Sequence, residues 1–363
     1  DTVAAEGWGW PQVVSSSWPS SWCSSRSDHL EHIRLIRTAG YSAAMTTPAL
    51  GMCFDRTFPP TAVAEFAERL EAGGVDQLWV IEDCFFTAGI SLAATALART
   101  QRLQVGLGIL PAVARNPAIT AMELATLAGL APGRLVAGIG HGVQSWMEQI
   151  GARTPSPLTT LEEVITVVRR LLRGEQVTFA GREVRLTDVQ LADPPTVVPP
   201  VLAGVRGPKS LAVAGRVADG IVLAEGAGSF YVRAALQAAG NPEVFRVSVF
   251  SALCIERDRL TAYEWMAPVV AGWLSAPNPA IDALPFAGEL RARFTDGGTG
   301  SLVHMPREWW LQLGAIGTFE DALEHVVELG QAGAHDVALF PAPELPVARG
   351  QLDDVAALAA ALR

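Results

Sequence analysis

The chain has 363 residues, half of them hydrophobic and 18% charged, with a net charge of −10 at pH 7. That length and apolar content allow a core of barrel size, and the acidic balance excludes an extended nucleic-acid surface, which needs clustered Lys and Arg. No apolar stretch of about 18 residues lacks charges, so no membrane-spanning helix is predicted.

Asp1 to Ala44 carries four tryptophans and the run SSSWPSSWCSSRS, with no hydrophobic periodicity. It lacks the basic start, apolar core and cleavage site of a signal peptide. It is read as an irregular extension (1–44) outside the core, and the fold as residues 45–363.

From Met45 onwards short apolar runs alternate with helical patterns, the mark of βα units. LGMCF (50–54) is predicted as the first strand. Pro59 and Pro60 open a helix that stops at Gly73-Gly74. DQLWVIED (76–83) is the second strand and SLAATALART the second helix. LQVGLGILP (103–111) reads as a strand covered on both faces. Asn116-Pro117 starts the next helix, and GRLVAGIGHG (133–142) is the fourth strand. A helix over 158–173 and a small hairpin, GEQVTFAGREVRL, follow. PPVLAG is the fifth strand, PKSLAVAGRV a helix and DGIVLAEG the sixth strand. FRVSVFSALCIE (245–256) is the seventh strand and DVALFP (336–341) the eighth, with a closing helix after it. Eight strand–helix alternations predict a (β/α)8 TIM barrel. The stretch 258–314 reads as an irregular insertion after the seventh strand, at the face where barrels keep their active sites.

The fifth unit carries the first chemical signal. A strand ends at Ala203-Gly204, a short loop of Val205, Arg206 and Gly207 follows, and Pro208 opens a helix. Such a turn aims free N–H groups and a positive helix end at the barrel top, where they suit a phosphate. Gly207 permits close approach, and Arg206, Lys209 and Ser210 add charge or a hydroxyl. Lys209 is the only lysine in the chain. A Schiff-base enzyme needs one in its site, but a lysine at a helix start instead of on a strand argues against that chemistry.

His141 is the histidine at a predicted strand end, and its ordinary pKa of about 6.5 suits proton transfer at neutral pH. Glu82 and Asp83 are adjacent in a strand and point to opposite faces. Cys53 and Cys84 end neighbouring strands, either as pocket residues or as small buried ones. The four cysteines form no CxxC pair and no metal-ligand spacing, so no metal and no disulfide framework are expected, as in a reducing cytoplasm.

The string PPVLAGVRGPKSLAVAGRVADGIVL resembles a segment of the bacterial luciferase-like flavin and deazaflavin oxidoreductase superfamily. LGILPAVARNPAITAMELATLAGLAPGRLVAGIGHG and AIGTFEDALEHVVELGQAGAHDVALFP resemble further blocks of it in the same order. The resemblance is strongest to the coenzyme F420-dependent reductase branch. It implies a luciferase-like barrel, commonly a homodimer, with the cofactor at the C-terminal mouth and hydride transfer to or from an organic small molecule. It places Asp83 beside the cofactor ring, a cis peptide at Gly108-Ile109 behind it, His141 as proton carrier and Gln144 on the cofactor chain. Cys84 stands where a histidine is often found, which argues against sugar or alcohol oxidation with that histidine as base. After the sixth strand Glu225 stands where a basic residue for phosphate is expected. The alternatives are an FMN-dependent monooxygenase fed by a separate flavin reductase, with the insertion and Trp309 covering a closed pocket, and a flavin-binding barrel without turnover.

Overall fold

The near-continuous apolar runs of the sequence become strands buried on both faces. The computed structural model describes residues 47–363. The extension expected at 1–44 lies outside the described residues. The strands, in chain order, are β1 (Ala49–Phe54), β2 (Gln77–Val80), β3 (Gln104–Pro111), β4 (Leu135–Gly140), β5 (Val177–Ala180), β6 (Arg185–Val189), β7 (Val201–Gly204), β8 (Gly220–Leu223), β9 (Arg246–Ile255), β10 (Gly314–Gly317) and β11 (Asp336–Phe340).

Eight of them close a parallel ring. β1, β2, β3, β4, β7, β8, β9 and β11 pair in that order, and β11 returns to β1 through Ala49↔Asp336 and Leu50↔Val337. This is the TIM barrel expected from the alternating pattern. β5 and β6 form the predicted hairpin as a separate antiparallel pair. β10 adds to the far half of β9, which outruns its ring partners, through Gly314↔Ala252 to Gly317↔Ile255.

Side chains fill the barrel interior. Cys53, Trp79, Ile81, Val136, Leu202, Val222, Phe250, Ala338 and Phe340 form one buried cluster, with Trp79 edge-on to Phe250 at 5.2 Å between ring centroids. The floor is polar and satisfied. Asp336 accepts from Gln77 (2.6 Å), Arg246 (2.6 Å) and Ser248 (2.6 Å), and Gln77 in turn accepts from the Trp79 indole at 2.7 Å. A sealed floor leaves the opposite, C-terminal end as the barrel's opening.

The stretch 258–314 is not irregular. It forms helices Arg259–Leu274, Pro279–Asp282, Ala287–Leu302 and Arg307–Trp310, with a core of their own that includes Met266, Val270, Leu290, Leu302 and Trp310. The helical pattern was hidden for physical reasons. Residues of Arg259–Leu274 are apolar nearly all round and include Pro268, and Ala287–Leu302 is interrupted at Gly298, whose φ is 62°. Asp321 anchors the insertion to the helix Phe319–Gln331 by accepting from Arg259 (2.7 Å) and Arg307 (2.6 Å).

Candidate active site

The mouth is built from residues that follow the strands. After β1, Asp55 and Arg56 are buried, and Arg56 pairs with Asp83, which follows β2. The Arg56 guanidinium also lies over the rings of Phe86 (4.9 Å) and Trp146 (5.9 Å). Burial pushes the Asp83 carboxyl up to about 6, against the pull of Arg56, while Glu225 and Asp55 push the same way as burial. Its neighbour Glu82 turns to the other side, accepting from Arg115 at 2.9 Å and from the Gly89 N–H at 2.9 Å. The two adjacent acids, both beyond the end of β2, thus serve different partners.

At β3 the register with β4 shifts between Leu107 and Leu110, and the Gly108-Ile109 peptide is cis. The Ile109 side chain is thereby laid across three glycines of the next two strands. A Cβ on Gly138 or Gly140 would meet Ile109 at 2.9 and 2.6 Å, and one on Gly204 would meet it at 2.5 Å. The Cys84-Phe85 peptide is also cis, which nothing in the sequence signalled.

His141 follows β4 and Ser210 lies in the first turn of helix Pro208–Val217, after β7. The imidazole Nε2 and the Ser210 hydroxyl are 3.0 Å apart. Burial lowers the pKa of His141, which favours its neutral form, against a smaller opposing pull from the Pro157 backbone. The Gln144 amide donates to the carbonyls of His141 and Gly142, both at 3.4 Å. The first intrahelical bond after Pro208 runs from Leu211 N–H to Gly207 O at 2.9 Å, so the N–H groups of Lys209 and Ser210 precede it. Lys209 is exposed, and open space surrounds the position of a Cβ on Gly207.

Glu225, after β8, sits 3.7 Å from Arg206 through Oε2. Burial raises its pKa, with Arg206, its own backbone N–H and then Arg56 opposing. The Tyr231 hydroxyl donates to the Arg206 carbonyl at 2.5 Å, steadying the loop from the helix Ser229–Ala238.

Thus Asp83, His141, Gly204, Val205, Arg206 and Gly207 stand at strand ends or on the loops that follow them, Gln144, Lys209 and Ser210 in the first turns of the helices that come next, and Gly108 and Ile109 within β3. Three other expectations divide. Cys53 is fully buried inside the barrel, its thiol pushed well up by burial and by Glu225 and Asp55. Cys84 is partly exposed at the end of β2, facing Glu82, Asp83 and Arg115 instead. Trp309 stacks on Phe286 at 4.6 Å and lines a cleft of about 340 Å³ with Phe230, Gln312 and Glu328. Sequence reading missed Asp55 and Arg56, although an acid and a base directly after the first strand were a usable signal.

The profile described as luciferase-like monooxygenase matches residues 34–336. The chain belongs to this family. The match starts inside the stretch expected to lie outside the core. Among sequence relatives, a 5,10-methylenetetrahydromethanopterin reductase of Methanolobus tindarius is 30% identical over 237 residues, covering 63% of this chain and 72% of that protein. An F420-dependent glucose-6-phosphate dehydrogenase of Kineococcus radiotolerans is 31% identical over 206 residues, covering 51% of this chain and 61% of that protein. A coenzyme F420-dependent tetrahydromethanopterin reductase from Methanopyrus kandleri has the same fold. Its TM-score is 0.70 at 20% identity, over 85% of this chain and 97% of that one. Among the described residues no helix is long and apolar enough to cross a membrane.

Proposed function

We propose that this luciferase-like family member is an oxidoreductase that uses coenzyme F420 for hydride transfer to or from an organic small molecule. The observation that carries the reading is the 3.0 Å contact between His141 Nε2 and Ser210 Oγ. It joins a proton-handling imidazole to the helix start best suited to a phosphate, so that one ligand can reach both. The similarity to relatives named as F420-dependent reductases and dehydrogenases supports the choice of cofactor.

The residues present fit such a group. The helix start offers N–H groups and a positive dipole end to a phosphate, with Gly204, Val205, Arg206, Gly207, Lys209 and Ser210 around it and Gln144 nearby. Ile109 fills a cradle that a Cβ at Gly138, Gly140 or Gly204 would invade, giving the mouth an apolar wall. Bound there, the deazaflavin supplies a hydride-donating or hydride-accepting ring carbon. His141, kept neutral by burial, can take a proton at a ring nitrogen and, once charged, return it. Asp83 holds its proton up to about pH 6 and, ionised, is held in place by Arg56.

The deciding experiment is absorbance titration of the purified chain with coenzyme F420 and with FMN. Saturable binding of the deazaflavin is expected. Tight FMN binding without it would support the monooxygenase reading, with a separate flavin reductase as partner, and binding of either with no substrate-dependent oxidation or reduction of the bound cofactor would leave a barrel without turnover. We further propose a homodimer, on the exposed Ile119, Met122 and Leu130 of helix Pro117–Leu130, to be checked by sedimentation. The free thiols of Cys53, Cys84 and Cys254 suit a reducing cytoplasm.

A further inference from the structure

Three carboxyl groups converge on the mouth from three strand ends. Asp55, Asp83 and Glu225 are 3%, 8% and 8% exposed, and each of the last two is affected electrostatically by Asp55. Cys53, deeper in the barrel, is within electrostatic reach of both Glu225 and Asp55. Two guanidinium groups face these acids. Arg56 is paired with Asp83, and Arg206 lies 3.7 Å from Glu225 Oε2. Asp55 is turned back on Thr57, accepting from its N–H at 2.8 Å and its hydroxyl at 2.6 Å. Each mouth arginine therefore already faces an acid, and one acid is left over.

Glu225 Oε1 is buried and meets no hydrogen-bond partner among the described residues. A buried acceptor without a donor costs about 1–3 kcal/mol, and a ligand that brings a donor recovers it. Arg206, Tyr231 and the insertion residues Asn278 and Ala280 line a small void beside the carboxyl.

We propose that Glu225 is the substrate-anchoring carboxyl of the mouth: the substrate presents an N–H or O–H donor on an uncharged or cationic group to Oε1, and phosphorylated substrates are rejected. This rests on the oxidoreductase reading above. A substrate phosphate carries about −1.5 to −2 charges and would have to enter a buried cluster already in acidic excess, displacing Glu225 from Arg206 or Asp83 from Arg56. An ammonium or iminium nitrogen, an amide or a hydroxyl meets no such conflict. The substrate class would then differ from that in the name of the Kineococcus radiotolerans relative.

The test uses the purified chain with coenzyme F420 loaded and, in parallel, without it. Calorimetry measures the binding of three probes of similar size: glucose 6-phosphate, glucose and glucosamine. In the wild type glucosamine should bind at least about tenfold tighter than glucose 6-phosphate, a gap of about 1.4 kcal/mol. Glu225→Gln should remove most of that preference, and Glu225→Lys should invert it. Should either fail to fold, Glu225→Asp keeps the charge and should keep the order. Glucosamine binding no tighter than glucose 6-phosphate in the wild type overturns the proposal, as does an unchanged preference in Glu225→Gln. If F420 fails to load, the oxidoreductase reading is lost, while the probe series on the cofactor-free chain still reads the role of Glu225.

Discussion

Arg56 and Asp83 form a buried ion pair that ties the end of β1 to the end of β2 and sets the charge on one side of the mouth. Burial favours the protonated carboxyl and the guanidinium favours the ionised one, and burial is the larger influence. The pair is thus held near a balance that a single substitution shifts.

Removing one partner leaves the other buried without its counter-charge, which costs about 3–5 kcal/mol. Asp83→Asn and Arg56→Gln should each lower unfolding free energy in urea by that order, and the double variant should lose less than the sum. Strict additivity would show that the two side chains act independently.

Asp83 also sets a pH dependence. Its native value of about 6 is above the ordinary 3.8, so between those values the native state holds a proton that the unfolded chain has lost. Its contribution therefore falls as pH rises through that window and is level above it. A kcat/KM profile should inflect near pH 6 in the wild type, and Asp83→Asn should lose the inflection.

His141→Asn removes the ring nitrogen that meets Ser210 while keeping a polar side chain. Positioned acid–base groups contribute about 10²–10⁴-fold, and kcat should fall by that order while the cofactor Kd, read by fluorescence titration, stays within about threefold. A large loss of cofactor affinity with kcat kept would assign His141 to binding instead.

The glycines around Ile109 make a steric prediction. Gly204→Ala places a methyl 2.5 Å from Ile109 Cγ2, whereas Gly138→Ala meets the Leu107 carbonyl oxygen at 2.3 Å. Both should destabilise by about 1–3 kcal/mol. Adding Ile109→Ala should relieve Gly204→Ala substantially and Gly138→Ala far less, because a backbone oxygen cannot be trimmed. Equal relief in thermal melts would contradict this account.

Away from the mouth, burial pushes the Asp354 carboxyl up to about 7, with the charges of Asp353 and Glu256 acting in the same direction. The native state keeps that proton where the unfolded chain loses it, so stability should decline as pH rises from about 4 to 7. Asp354→Asn should flatten that decline and raise stability at pH 8 by on the order of 1–3 kcal/mol. An unchanged pH dependence of the melting temperature would count against it.

By itself the sequence determined the barrel and most of the loops that carry its chemistry. Short apolar runs, period-3.6 patterns, Pro and Asn at helix starts and Gly at helix ends are local, and eight strand–helix alternations leave few ways to close. The turn from Gly204 to Ser210 was legible because a strand end, a glycine and a helix-opening proline lie within seven residues. The insertion's helices were not, because one is apolar nearly all round and carries a proline, and another turns at Gly298. Only the tertiary structure decided which side chains meet. The contact of His141 with Ser210 spans 69 residues of sequence, and the pairing of Arg56 with Asp83 spans 27. The structure stacked Trp309 on Phe286 and sank Cys53 into the barrel. It also gave Glu225 the neighbours that an acid near a phosphate loop requires. Such relations depend on strand register and on burial, and burial is a property of the packed molecule, which no short stretch of sequence encodes.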